Sequence, residues 1–149
     1  MGKRILIADY DKAELAVLKE FFEGHDFEVL TAVDGQEAYR IYKEEGPLLL
    51  IIEAMLPKLH GFDLTARVFE ETKGTIPVII VTNLYKGTQY RNEALRSFGA
   101  ADYFEKPLDH EKLFEAVKKF IKDDKDFAED IPSPKEVFAA LEEELNKGE

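Results

Sequence analysis

Cysteine is absent from the 149 residues of this chain. A disulfide framework, a thiolate zinc site and a cysteine nucleophile are thereby excluded. Long hydrophobic runs are missing as well, and none approaches the ~20 residues that a membrane-spanning helix needs. The opening Met1-Gly2-Lys3-Arg4 leads into too short an apolar run for a signal peptide, with no small-residue cleavage site. A cytoplasmic protein with no membrane association is expected. No predicted strand is followed by a glycine-rich phosphate loop, so a dinucleotide or P-loop site has little support. Positive charge is scarce: 20 Lys and Arg stand against 31 Asp and Glu, a net charge of −11. Nucleic-acid binding needs a basic face and is not expected.

What the chain does have is a core. It is 45% hydrophobic, enough for one domain of this length with a modest extension. Apolar runs alternate with helical periodicities. Arg4 to Ala8, Glu28 to Ala32, Leu48 to Ile52, Ile76 to Thr82 and Asp102 to Phe104 read as strands. Leu15, Leu18 and Phe22, widened by Val17 and Phe21, mark a first helix. Ala38, Ile41 and Tyr42 mark a second, and Gly61 to Glu71 a third. Gln89 to Phe98 forms a fourth, and Leu113, Val117, Phe120 and Ile121 stripe a fifth. Gly24, Gly46, Gly74 and Gly99 fall just past helix ends, where a left-handed C-cap is favoured. Near-continuous apolar strands imply a parallel sheet covered on both faces. Short right-handed crossovers make it doubly wound.

Such sheets place chemistry at the carboxyl ends of their strands. Those ends are Asp9-Tyr10-Asp11, Glu53-Ala54-Met55, Thr82-Asn83 and Lys106-Pro107. Acids, a hydroxyl and a lysine converge there. Glu53, the carboxylate that ends the most apolar strand, is the most informative residue.

Ile5-Leu6-Ile7-Ala8-Asp9, Thr31 to Ala38, Met55-Leu56-Pro57 with Gly61, Val81-Thr82 and Gly99 to Pro107 occur in this order at suitable spacing. With these fragments the stretch from Lys3 to Lys122 resembles the response regulator receiver domain of two-component systems. The resemblance implies a flavodoxin-like (βα)5 fold with strand order 2-1-3-4-5. It implies that Asp9, the acceptor position Glu53 and the backbone carbonyl of Met55 face Mg²⁺. Thr82 and Lys106 would hold phosphoryl oxygens, Tyr103 would be the switch aromatic, and the Lys106–Pro107 bond would be cis. The metal would neutralise the acceptor and the incoming group.

Two positions depart from the family. Tyr10 stands where a second acid is usual, which weakens Mg²⁺ binding. Glu53 stands where the family has the phosphorylated aspartate, and its carboxylate reaches on the order of 1.5 Å further. A misplacement of about 1 Å can cost around a hundredfold in rate. The expectation is therefore a divergent receiver, or pseudo-receiver, that acts as a protein-interaction module with phosphorylation impaired or absent. It is not expected to be an enzyme beyond vestigial self-phosphorylation and dephosphorylation, nor to hold a cofactor other than weakened Mg²⁺. Expected partners are signalling proteins, such as a histidine kinase or a downstream effector, or a second copy of the chain. A working phosphorelay receiver is the first alternative, and a small flavodoxin-like enzyme or cofactor binder the second.

Several residues carry plainer readings. Asp11 heads a capping-box pattern, Asp11-Lys12-Ala13-Glu14, and is read as a helix cap before a substitute metal ligand. Glu53 and Lys106 are either a catalytic remnant or a structural ion pair. His25, His60 and His110 read as scattered surface side chains. Asn83 is bulkier than the small residue usual in the family, and the Leu84 to Thr88 loop reads as a little longer than in compact receivers.

The domain is expected over residues 1–122, followed by an acidic linker over 123–133. Up to Ile121 there are 16 basic and 21 acidic residues, and beyond it 4 and 10. Ser133-Pro134-Lys135-Glu136 is a helix-start pattern. Val137, Phe138, Leu141 and Leu145 then form an apolar stripe, so a short amphipathic helix is expected over 134–146.

Overall fold

Five strands alternate with five helices in the computed structural model, which describes residues 3–121. The elements are β1 (Lys3–Ala8), α1 (Lys12–Glu23), β2 (Phe27–Ala32), α2 (Gly35–Glu45), β3 (Leu49–Glu53), α3 (Gly61–Thr72), β4 (Val78–Thr82), α4 (Thr88–Ser97), β5 (Asp102–Glu105) and α5 (His110–Phe120). All neighbouring strands pair in parallel, in the order β2-β1-β3-β4-β5. This is the expected doubly wound, flavodoxin-like sheet. The expected linker over 123–133 and helix over 134–146 lie outside the described residues.

The strands are apolar on both faces because side chains alternate with period two and both faces are covered. Ile5, Ile7, Leu49, Ile51, Ile79 and Val81 turn to one side, where Leu15, Leu18 and Phe22 of α1 and Leu113 and Val117 of α5 meet them. Leu6, Ala8, Leu50 and Ile52 turn to the other, against Ala38 and Tyr42 of α2 and Leu64 and Val68 of α3. Ile80 packs with Ala94 of α4, Ala100 and Tyr103.

Four local readings are corrected. Strand β4 begins at Val78, two residues after the expected Ile76, as Pro77 has no N–H to give a ladder. Val17 is 50% exposed and lies beside the buried stripe of α1, not within it. Leu48 is 44% exposed, so β3 begins one residue later and runs on to Glu53. Gly24 caps α1 in a right-handed conformation, φ −66°, and the left-handed turn falls instead on Asp26, φ 68°. Gly46, by contrast, closes α2 at φ 56° as expected.

The parallel register levels the carboxyl ends. Ala8 faces Ile52, Glu53 faces Val81 and Thr82 faces Glu105. Backbone hydrogen bonds continue past the strand ends: Asp9 N–H donates to Ala32 O at 3.0 Å and Lys106 N–H to Thr82 O at 2.7 Å. Asp9 and Lys106 are therefore held by the sheet itself. Close packing also fixes the start of α3. A Cβ on Gly61 would lie 2.4 Å from Glu53 O, so only glycine lets that helix approach the end of β3.

Candidate functional site

Asp9, Glu53, Thr82 and Lys106 sit together at the carboxyl edge of the sheet, and all four are buried. Asp9 and Glu53 are each only 1% exposed. Charges this deep require partners, and Lys106 supplies the cation for both. Its Nζ lies 2.8 Å from Asp9 Oδ2 and 2.9 Å from Glu53 Oε1, with Glu14 Oε1 at 3.9 Å. Burial lowers the Lys106 pKa, but the bonds and charges of Asp9 and Glu53 outweigh it, so the ammonium is held above the ordinary lysine range. The remaining carboxylate oxygens take backbone donors. Asp11 N–H donates to Asp9 Oδ1 at 2.9 Å and Met55 N–H to Glu53 Oε2 at 3.0 Å. Glu53 Oε1 has the Lys106 charge beside it but no aligned hydrogen bond. The ion pair, not the alignment, stabilises that oxygen.

The Thr82 hydroxyl is turned toward its own loop, accepting from Leu84 N–H and Tyr85 N–H, both at 3.1 Å. Tyr103 is buried, and its hydroxyl donates to Tyr85 O at 2.5 Å. Burial, then the Glu105 and Glu53 charges, push its pKa up to about 12. The Lys106–Pro107 peptide is cis. Tyr10 is 51% exposed and brings no acid to the cluster. Asp11 caps α1, accepting from Ala13 N–H at 3.0 Å and Glu14 N–H at 3.2 Å, which is the plainer reading of that residue.

Sequence reasoning missed an aromatic wall beside the acids. Tyr85 donates to Met55 Sδ at 3.2 Å, and His60 Nε2 lies 3.4 Å from the Tyr85 hydroxyl. His60 Nδ1 accepts from Phe62 N–H and so caps α3; it is not a bystander on the surface. His25 is exposed, as expected, and its ring stacks on Phe114 with centroids 4.1 Å apart. Phe62 links Tyr85, Phe98 and Tyr103 into one array. The Leu84 to Thr88 loop is tied down by Glu105, which accepts from Gly87 N–H at 2.6 Å. Arg91 donates to Tyr103 O at 2.8 Å and to Asp102 at 3.1 Å. Of these groups, only the Tyr85 loop carries a signal in the sequence, through its length.

A family model for the response regulator receiver domain matches residues 5–118. The chain belongs to the response regulator receiver family. This receiver is 32% identical over 115 residues to protein PilH of Pseudomonas aeruginosa, covering 76% of this chain and 93% of PilH. It is 32% identical over 124 residues to the transcriptional regulatory protein CrdR of Helicobacter pylori, covering 83% of this chain and 57% of CrdR. The receiver thus spans little more than half the length of that regulator. Among solved structures, the receiver domain of the Francisella response regulator 1452 superposes with a TM-score of 0.74 at 30% identity, covering 79% of this chain and 95% of that one.

The residues of this receiver are a poor fit to Mg²⁺. Asp9 and Glu53 converge, but on the Lys106 ammonium. Magnesium demands near-ideal octahedral oxygen geometry, and here a cation of the protein already occupies the point where the two carboxylates meet. No helix of the described residues is long and apolar enough to cross a membrane.

Proposed function

We propose that this receiver is a pseudo-receiver: an interaction module of two-component signalling in which phosphoryl transfer is impaired or absent. One observation carries the reading. The longer arm of Glu53 brings its carboxylate to 2.9 Å from Lys106, which is simultaneously 2.8 Å from Asp9. The lysine that the family resemblance assigns to a phosphoryl oxygen is thus engaged by the acceptor side chain itself. A carboxylate stands in for part of the phosphate's charge, though it lacks the three oxygens and near-dianionic charge of a phosphoryl group. Tyr10 in place of an acid also removes a metal ligand, which lowers acceptance further.

The output we infer is binding through the Tyr85 loop, Tyr103 and α5, by a kinase, a downstream effector or a second copy. Leu84 is 61% and Tyr90 38% exposed beside Tyr85. A cavity of about 390 Å³ lies next to them, lined by Gly87, Arg91, Tyr103 and Glu105 among others. Exposed apolar groups around a shaped hollow suit a protein partner.

Intact-mass spectrometry after incubation with acetyl phosphate and Mg²⁺, beside the Glu53→Asp variant, tests the reading. No adduct on the native chain is expected. An adduct on Glu53→Asp alone would identify Glu53 as the disabling residue. One phosphoryl group on the native chain would overturn the proposal in favour of a working phosphorelay receiver.

A further inference from the structure

At the opposite end of the sheet from Glu53, the chain forms an apolar groove of about 360 Å³. Its walls come from α3, the turn before β4, the end of α4 and the end of α5: Phe69, Ile76, Arg96 and Phe120, with Gly74 and Gly99 on the floor. The groove is built, not incidental. A Cβ on Gly99 would lie 2.4 Å from the Phe69 ring, and one on Gly74 would lie 3.0 Å from it. Both glycines have φ of 79°. Two bare backbones thus seat an aromatic ring that is nonetheless 44% exposed. A phenylalanine held in place yet left wet is a recognition surface in need of an occupant.

We propose that the occupant is this chain's own C-terminal stripe, Val137, Phe138, Leu141 and Leu145. Three observations select it. The described residues end at Ile121, one residue past Phe120, so the chain leaves the domain from the rim of the groove. The 15 residues between Ile121 and Val137 reach a root-mean-square distance of about 20 Å as a flexible tether, more than enough to fold back. Charge agrees as well. The segment after Ile121 has 10 acidic and 4 basic residues. Arg96 lines the groove and Lys73 precedes Gly74 of its lining in the sequence, and neither has an ion-pair partner among the described residues. A four-residue apolar stripe with Glu142, Glu143 and Glu144 interleaved matches an apolar slot with a basic rim. Intramolecular docking also benefits from a high effective concentration that a separate partner lacks. Being at the far end of the sheet, this contact does not depend on whether Glu53 can be phosphorylated.

The cysteine-free sequence makes the test direct. In the full chain, Ser97→Cys at the groove is paired with Glu144→Cys flanking the stripe. A control pairs Arg40→Cys on the exposed face of α2 with the same Glu144→Cys. Under mild oxidation at low protein concentration, the groove pair should form an intramolecular disulfide about tenfold faster than the control, reflecting local concentration. Adding Phe138→Asp, which leaves the domain's own residues untouched, should bring the groove pair down to the control rate. Equal rates for both pairs, or no disulfide at the groove, would overturn the assignment. A cross-linked dimer in place of the monomer would also overturn it and make a second copy the occupant.

Discussion

Replacing Lys106 by methionine keeps the length of the side chain and removes its charge. Asp9 and Glu53, each 1% exposed, then lose the cation that lies 2.8 and 2.9 Å from them. They retain one backbone N–H each, from Asp11 and Met55, and now repel one another. Removing one partner of a buried ion pair costs about 3–5 kcal/mol. For a domain of this size that corresponds to a fall in melting temperature on the order of 10–20 °C. Urea unfolding followed by circular dichroism at neutral pH reads the loss. Adding Glu53→Gln to Lys106→Met should restore part of it, since the like-charge contact disappears, and the double-mutant cycle would yield a coupling on the order of 1–3 kcal/mol. A loss below about 1 kcal/mol, the range of exposed pairs, would refute the reasoning. It would mean that water solvates the two carboxylates and that Lys106 does not hold them.

Two further outcomes are expected. Of the six tyrosines, Tyr42 and Tyr103 should ionise last, at about 12, in an absorbance titration, because burial raises both. Their folded values lie above the ordinary 10.0, so the stability they contribute is complete below pH 10.0 and is lost as pH rises toward about 12; Tyr103→Phe should delete one high-pH step, and a single transition near 10 for all six would contradict the burial argument. Asp11→Ala should cost about 1 kcal/mol through loss of the α1 cap while leaving the acetyl-phosphate result unchanged. An altered mass-spectrometric outcome for that variant would reinstate Asp11 as a ligand.

The fold was legible because its signals are local and agree with one another. Runs such as Leu49 to Ile52 are short and wholly apolar, as strands buried on both faces are, and Leu15, Leu18 and Phe22 recur at helical spacing. The readings that failed, at Val17, Gly24, Leu48 and Ile76-Pro77, lie at the edges of these patterns, where tertiary contacts decide. The convergence of Asp9, Glu53, Thr82 and Lys106 was equally legible, since parallel strands bring their carboxyl ends to one edge. Their partners were not. Lys106 and Asp9 are 97 positions apart, and nothing local states that one ammonium bridges two acids. The Tyr85, Met55 and His60 contacts depend on the path of loops whose conformation is set by distant groups such as Glu105 and Arg91.

Under the pseudo-receiver proposal, Tyr10 and Glu53 make sense as one change. Three acids and a lysine at the end of a sheet carry a surplus of negative charge that a divalent cation can balance. With Tyr10 in place of an acid, the buried set reduces to Asp9, Glu53 and Lys106, and the surplus falls to one charge, which the Asp11 and Met55 amides help to stabilise. On the pseudo-receiver proposal, a metal would then be less needed at this edge. An aspartate in place of Glu53 would end about one carbon–carbon bond short, so Lys106 would have to move to keep the 2.9 Å contact. The glutamate closes that gap and uses its other oxygen on Met55 N–H, so both ends of the carboxylate are fixed. A site that needs an ion or a phosphoryl group to balance its charges can exist in two states. On the proposal made above, this site meets its two carboxylates with Lys106 and two backbone amides, and a partner would recognise it without a chemical signal.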